Sequence, residues 1–194
     1  MSYWIQKRLK SIELAFDKSY CRAIEAVIDL ICDQFQAGNK LLICGNGGSA
    51  ADAQHLAAEF VGRFHLNRQA LPAIALTTNS SILTSVSNDY TYDIVFSRQV
   101  EAMGKPGDIL WGLSTSGKSS NVLHALKCAK DLGLYTIGMA GNDGGLFQEF
   151  ADYPLFVGEQ STPYIQEIHL MTYHHICEQV EARLFAKKKI GLVA

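Results

Sequence analysis

The sequence predicts an α/β domain built on a five-stranded parallel sheet with helices on both faces, preceded by a helical extension over residues 1–38. Three observations carry that prediction. Five short apolar runs, at 41–44, 72–76, 109–113, 134–139 and 153–157, alternate with stretches of helical period. Each run is continuously apolar, as strands buried on both faces are, whereas a half-exposed strand alternates. The joins between runs and following helices are rich in glycine, serine and threonine, as short βα turns require.

Residues 3–37 hold neither glycine nor proline, and Ile12, Leu14, Ala15, Ala23, Ile24, Val27, Ile28, Ile31 and Phe35 recur at helical spacing. This reads as two helices broken near Asp17 to Tyr20, the second ended by Gly38-Asn39 through a left-handed C-cap. The first strand, 41–44, runs into Gly45-Asn46-Gly47-Gly48, and Ser49 is the expected N-cap of an alanine-rich helix reaching towards Gly62. A second buried strand follows at 72–76. Asn79 or Ser80 opens a short helix that Ser87-Asn88-Asp89 breaks. Residues 91–103 have helical period up to Gly104, and Lys105-Pro106-Gly107-Asp108 is a turn. After the third strand, 109–113, the hydroxyl-rich segment 114–120 feeds a helix over 120–132, stopped by Gly133. The fourth strand, 134–139, leads into a turn, Gly141-Asn142-Asp143-Gly144-Gly145, and a short helix. The fifth strand, 153–157, precedes Thr162-Pro163, with proline at the first position of a last helix running to about residue 186. Lys187-Lys188-Lys189 reads as a solvated, fraying helix end.

With 194 residues, 48% of them apolar and 19% charged, the chain can bury one sizeable core. A formal net charge of −2 gives no basic surface for nucleic acid. The N-terminus carries Lys7, Arg8 and Lys10 where a secretory leader needs an apolar core, and no stretch has the length of a membrane span. The cysteines, Cys21, Cys32, Cys44, Cys128 and Cys177, are odd in number, widely spaced and without a C-x-x-C pair. They fit reduced, buried thiols rather than a disulfide framework or a zinc knuckle. A cytoplasmic protein with no nucleic-acid and no membrane partner is the expectation.

Ligands of such sheets sit beyond the C-terminal strand ends, at the switch in strand order. The turns after the first and third strands both open at that edge. At the first, a strand breaking through glycines into a helix gathers unpaired N–H groups and the positive end of the helix dipole. Gly45-x-Gly47-x-x-Ala50 meets the dinucleotide fingerprint in form only. The next strand ends Leu76-Thr77-Thr78-Asn79, with no acid for a ribose, and the lysine of a P-loop is missing, so no nucleotide cofactor is expected. A tight turn that merely packs is the plainer alternative. At the second turn, Ser114, Thr115, Ser116 and Ser119 set hydroxyls and backbone donors around a helix start, which suits a phosphate better than an ordinary serine cap. His55 and Glu59 are four residues apart and share a helix face. They can bind a metal, move protons or form a surface pair, and their spacing does not choose among these. Glu59 and Arg63 are likewise an i,i+4 pair. In the last helix Gln166, Glu167, His169, His174 and His175 cluster. Gln166 and His174 lie about 80° apart around its axis, on one broad face.

Five segments in order resemble the phosphoheptose isomerases of the sugar-isomerase (SIS) domain family. They are Cys-Gly-Asn-Gly-Gly-Ser at 44–49, His-Leu-Ala-Ala-Glu-Phe-Val-Gly-Arg at 55–63, Ser-Asn-Asp at 87–89, Ser-Thr-Ser-Gly at 114–117 and Ile-Gln-Glu-Ile-His at 165–169. The likeness covers nearly the whole chain. It implies a single SIS domain at 39–194, a flavodoxin-like α/β/α sandwich, with N-terminal helices at 1–38 that make oligomer contacts in a homotetramer. It implies an aldose–ketose isomerase that interconverts sedoheptulose 7-phosphate and D-glycero-D-manno-heptose 7-phosphate, the first step towards ADP-heptose for lipopolysaccharide. By the resemblance, Glu59 is the catalytic base and His174 its acid/base partner. Ser114, Thr115, Ser116 and Ser119 match the phosphate loop. Asn46, Gly47 and Gly48, with Ser49, match the sugar-contacting turn, and Arg63, Asn88, Asp89 and Gln166 are further substrate contacts. His55, Glu59, Gln166 and His174 match the family's zinc ligands, with one Zn²⁺ per subunit.

The residue types suit that chemistry. Moving a proton between C1 and C2 through an enediol(ate) needs a base at carbon and an acid or electrophile at the carbonyl. A Zn²⁺ would act as Lewis acid and template. The chain departs from the family's pattern at Pro163, near which relatives often place an aspartate, so no substrate contact is carried over there. The same fold includes a non-catalytic relative that binds the DnaA replication initiator but lacks the catalytic carboxylate and histidine. It also includes sugar-phosphate-sensing modules joined to other domains, for which 194 residues leave no room. The presence of Glu59 and His174 favours the enzyme.

Overall fold

The computed structural model describes residues 2–185. The expected Lys187-Lys188-Lys189 helix end lies outside the described residues. The elements are α1 (Tyr3–Ala15), α2 (Lys18–Gln36), β1 (Leu41–Gly45), α3 (Gly48–Val61), β2 (Ala73–Ala75), α4 (Ser80–Asp89), a 3-10 turn (Tyr92–Ile94) and α5 (Ser97–Met103). They continue as β3 (Ile109–Ser114), α6 (Ser120–Asp131), β4 (Tyr135–Gly141), a 3-10 turn (Gly145–Glu149), β5 (Tyr153–Val157) and α7 (Thr162–Phe185). The five strands are all parallel, in the order β2-β1-β3-β4-β5.

Successive strand residues point to opposite faces, and each face has its own core. Ile43, Trp111, Ile137 and Leu155 pack under α2, α3 and α7. Leu42, Leu110 and Ala140 pack on the other face, against Phe96 and Val100 near and in α5 and Val122 and Leu126 of α6. The strand order turns over between β1 and β3, which pair from Leu41↔Ile109 to Gly45↔Leu113. The glycine turn after β1 and the hydroxyl loop after β3 therefore open side by side, at the crevice where such sheets bind ligands.

Several local expectations need correction. The break between α1 and α2 is tighter than expected: Asp17 caps α2 by accepting from Ser19 N at 2.9 Å and Tyr20 N at 2.7 Å, so Tyr20 is already helical. Ser49 is not an N-cap. Gly47 holds that position with a positive φ of 55°, and Ser49 lies buried in the first turn of α3. β2 and β5 are not doubly buried strands, for they are the two edges of the sheet: Ile74 is 39% exposed, and Pro154 is exposed. α4 runs through Ser87-Asn88-Asp89 and stops at Tyr90. Residues 91–103 divide into a 3-10 turn and α5, because Val95 and Phe96 turn into the core between them. Pro163 is the second residue of α7 rather than the first.

α1 buries none of its residues and leaves Tyr3, Trp4 and Leu14 largely exposed. It is held to α7 by an ion pair from Arg8 to Glu167, with the Arg8 guanidinium 4.3 Å from the Tyr164 ring centre. All five cysteines are free; Cys32, Cys44 and Cys177 are buried, and Cys21 is exposed. Among the described residues, no helix is long and apolar enough to cross a membrane.

Candidate active site

The turn after β1 is built for close approach. A Cβ on Gly45 would stand 2.7 Å from the Ser49 carbonyl oxygen, so only glycine lets the chain double back here. A Cβ on Gly48 would stand 2.2 Å from Gln166 Nε2, which places the α7 amide directly over the turn. Asn46 reaches the other way. It exchanges two amide hydrogen bonds with the buried Asn121 of α6 and accepts a third from the Tyr92 hydroxyl at 3.2 Å.

The loop after β3 gathers its hydroxyls at the start of α6. Ser114 Oγ lies 2.9 Å from Ser119 Oγ and 3.4 Å from Ser116 Oγ, and the Lys118 N–H donates to Ser116 Oγ at 3.2 Å. Gly117 takes a positive φ of 61° against the Gly144 carbonyl, where no side chain fits. A cavity of about 350 Å³ lies beside this loop, and its lining includes Thr115, Ser116, Lys118, Asn142, Asp143 and Gln160. Hydroxyls, backbone donors and a helix N-terminus are the groups with which an anion can be held without arginine.

Two helices complete the site. His55 and Glu59 of α3 meet His174 of α7, and one ligand atom from each lies within 4.8 Å of the others. His55 Nε2 is 3.0 Å from Glu59 Oε1, and the His55 and His174 rings stand nearly perpendicular at 5.0 Å. His174 Nε2 is buried with no hydrogen-bond partner. Burial and the neighbouring His55 push the His174 imidazole below its ordinary pKa, with Glu59 opposing. Behind His55, the buried Tyr173 hydroxyl lies 3.1 Å from His55 Nδ1 and 3.3 Å from Asp52 Oδ1. Burial pushes the Asp52 carboxyl up, against the lowering influence of Tyr173 and His55.

The end of α3 is anchored to α7. Arg68 Nε and Glu181 Oε2 pair at 3.0 Å, with both side chains 2% exposed. Glu181 accepts the N–H groups of Phe64, His65 and Leu66 at 2.9, 2.6 and 2.6 Å, while Arg68 donates to the carbonyls of Glu59 and Phe60 at 2.9 and 2.7 Å. Burial alone would raise the Glu181 pKa; those N–H groups and Arg68 outweigh it and hold the carboxylate below its usual range. The backbone of Glu59 is thus fixed from α7, the helix that carries His174.

The sequence-predicted residues divide accordingly. His55, Glu59 and His174 converge, and the two ligand loops adjoin. Gln166 covers Gly48, two turns before His174, or roughly 12 Å along α7. Arg63, Asn88 and Asp89 are exposed and hydrogen-bond locally: Arg63 to the His65 carbonyl, and Asn88 to Asp89. Glu59 pairs with His55 and not with Arg63. Sequence reasoning missed Asn121, Asp52, Tyr173 and the Arg68–Glu181 pair. Asp52 sits one turn before His55 on the same face, the only local signal among these four.

A profile of the SIS domain matches residues 6–141. The chain belongs to the SIS domain family. It is 83% identical to the phosphoheptose isomerase of Synechocystis sp. over 192 residues, 99% of each chain, and 69% identical to that of Crocosphaera subtropica over 96% of this chain and 95% of the relative. Among SIS proteins of solved structure, the phosphoheptose isomerase of Neisseria gonorrhoeae superposes with a TM-score of 0.86 at 39% identity, covering 92% of this chain and 95% of that one. The Francisella tularensis phosphoheptose isomerase gives a TM-score of 0.86 at 34% identity, over 91% and 94% of the two chains. SIS family membership accounts for the parallel sheet, and the paired turns at its switch point are where this chain places its candidate ligand groups.

Proposed function

We propose that this SIS protein is an aldose–ketose isomerase that converts sedoheptulose 7-phosphate to D-glycero-D-manno-heptose 7-phosphate, the first step towards ADP-heptose. The observation that carries the reading is the convergence of Glu59 and His55 with His174, from helices more than a hundred residues apart, beside two anion-type loops. The high identity to proteins named phosphoheptose isomerase supports the choice of sugar.

The hydroxyls of Ser114, Thr115, Ser116 and Ser119 take the phosphate, and Asn46, Gly47, Gly48 and Ser49 hold the sugar, with Gln166, Arg63, Asn88 and Asp89 as further contacts. Glu59 takes the carbon-bound proton and returns it to the adjacent carbon. Its Oε1 faces His55, which leaves Oε2 as the proton acceptor. His174 exchanges the proton of the substrate oxygen as charge builds there.

A metal fits the donor set. Two imidazoles and a carboxylate suit Zn²⁺, and the buried Nε2 of His174 has no hydrogen-bond partner of its own. We assign His55, Glu59 and His174 as its ligands, with Gln166 as a fourth from the start of α7. When bound, the ion supplies Lewis-acid polarisation of the substrate carbonyl. The exposed apolar residues of α1 are the proposed contact with other copies, in a homotetramer. A phosphorylated substrate that does not cross membranes sets the reaction in the cytoplasm.

Incubation with sedoheptulose 7-phosphate, followed by NMR, tests the function. The aldose anomeric resonances are expected to grow to a fixed ratio with the ketose. No conversion, with binding to a replication initiator in its place, would overturn the reading.

A further inference from the structure

We infer that Lys118 is a further phosphate-binding residue, the cation that this chain adds to the hydroxyl loop. The turn sets its place: Gly117 holds a positive φ of 61° against the Gly144 carbonyl, and the Lys118 N–H donates to Ser116 Oγ at 3.2 Å. Lys118 then lines the cavity of about 350 Å³ together with Thr115 and Ser116, and it is the only basic residue that does so. Among the described residues, Lys40 and Lys130 have carboxylate partners in Asp108 and Asp152, whereas Lys118 forms no ion pair. It also stands two residues before α6, at the positive end of the helix dipole, where a cation is disfavoured. A bound anion between the ammonium and the helix start reverses that sign. Local rules broken in this way are expected where a ligand sits.

The opposite wall makes that charge matter. Asp143 lines the same cavity, with its Oδ1 accepting the Gly145 N–H at 3.0 Å. With Lys118 present the two formal charges cancel; without it a phosphate meets a carboxylate and uncharged donors. Hydroxyls and N–H groups orient an anion at close range, while an ammonium on a flexible stem acts as a point charge that follows it in. Lys118 also borders an outer groove of about 460 Å³, which Lys127 of α6 lines as well. Lys127 does not line the cavity, so the two lysines carry the same charge with different access to the phosphate. The inference rests on the reading of residues 114–119 as the phosphate seat, but its main test needs no turnover.

The test is calorimetric titration of inorganic phosphate into the full-length protein at low and high sodium chloride. Lys118→Gln is expected to weaken binding about 10-fold and to flatten its dependence on salt, and Lys118→Arg to keep most of the affinity. Lys127→Gln, which removes the same charge from the outer groove alone, is expected to bind phosphate as the wild type does. Equal losses in Lys118→Gln and Lys127→Gln, or wild-type affinity and salt dependence in folded Lys118→Gln, would overturn the inference. No phosphate binding by the wild type would overturn it together with the phosphate seat. Conversion of sedoheptulose 7-phosphate by the wild type reports separately on the isomerase reading.

Discussion

Asn46 and Asn121 exchange their amides, Asn46 donating at 2.8 Å and Asn121 donating back at 2.9 Å. The pair ties the turn after β1 to the first turn of α6, across the switch in strand order. Truncating Asn121 leaves the half-buried Asn46 amide with only the Tyr92 hydroxyl, a cost of about 1 kcal/mol. Asn121→Ala is expected to lose that much stability by denaturant unfolding, and to raise KM for the sugar phosphate more than it lowers kcat, because the loops it joins bind rather than react.

Glu59 is the proposed base, and its backbone is pinned by Arg68. Glu59→Gln keeps the shape and removes the proton acceptor. It is expected to fold and bind sugar phosphate while kcat falls by about 10²–10⁴. Isothermal titration and the NMR conversion assay check the two halves. Full turnover would remove Glu59 from the role.

The Arg68–Glu181 pair is a separate liability. Arg68→Met leaves a buried carboxylate without its counter-charge, and breaking such a pair costs about 3–5 kcal/mol. Urea unfolding followed by circular dichroism should show the loss. Activity should fall with it, since the last turn of α3 is then free to shift.

Two glycines should respond differently to the same methyl group. Gly117→Ala sets a Cβ 2.0 Å from a main-chain oxygen at a positive φ, and should disrupt the hydroxyl loop and phosphate affinity. Gly48→Ala meets only the end of the Gln166 side chain, which can swing away. Its melting temperature should stay close to wild type while kcat/KM drops, and this contrast isolates the contribution of Gln166.

His169 is completely buried in α7, and burial pushes its pKa down to about 4 from an ordinary 6.5. The Ala140 main chain faces it without a hydrogen bond of normal geometry. The unfolded chain binds the proton more readily, so stability rises with pH between those two values and flattens above and below. Relative to His169→Phe, the wild type should gain about 3 kcal/mol from pH 4 to 7. Parallel unfolding curves for the two proteins across that range would refute this.

The centre of the sheet was legible because β1 and β3 are buried on both faces and so read as unbroken apolar runs. β2 and β5 have the same composition but lie at the two edges, and composition does not encode strand order. The periodicity of 91–103 was real, yet Val95 and Phe96 bend the chain into the core, and packing overrode local preference. The His55–Glu59 pair could be read from helical spacing, whereas His174 joined it only through family resemblance. Tyr173–Asp52 and Arg68–Glu181 bridge separations of 121 and 113 residues. A sequence carries no local mark of such contacts; they exist only once α3 lies against α7.

The margins of the sheet offer little to a passing chain. At one side stands a strand of three residues, and at the other a strand containing Pro154, which has no N–H to give. An extended segment seeking backbone partners finds few at either side. Joining copies by adding strand to strand, the commonest way a sheet is extended between molecules, is disfavoured at both ends of this one.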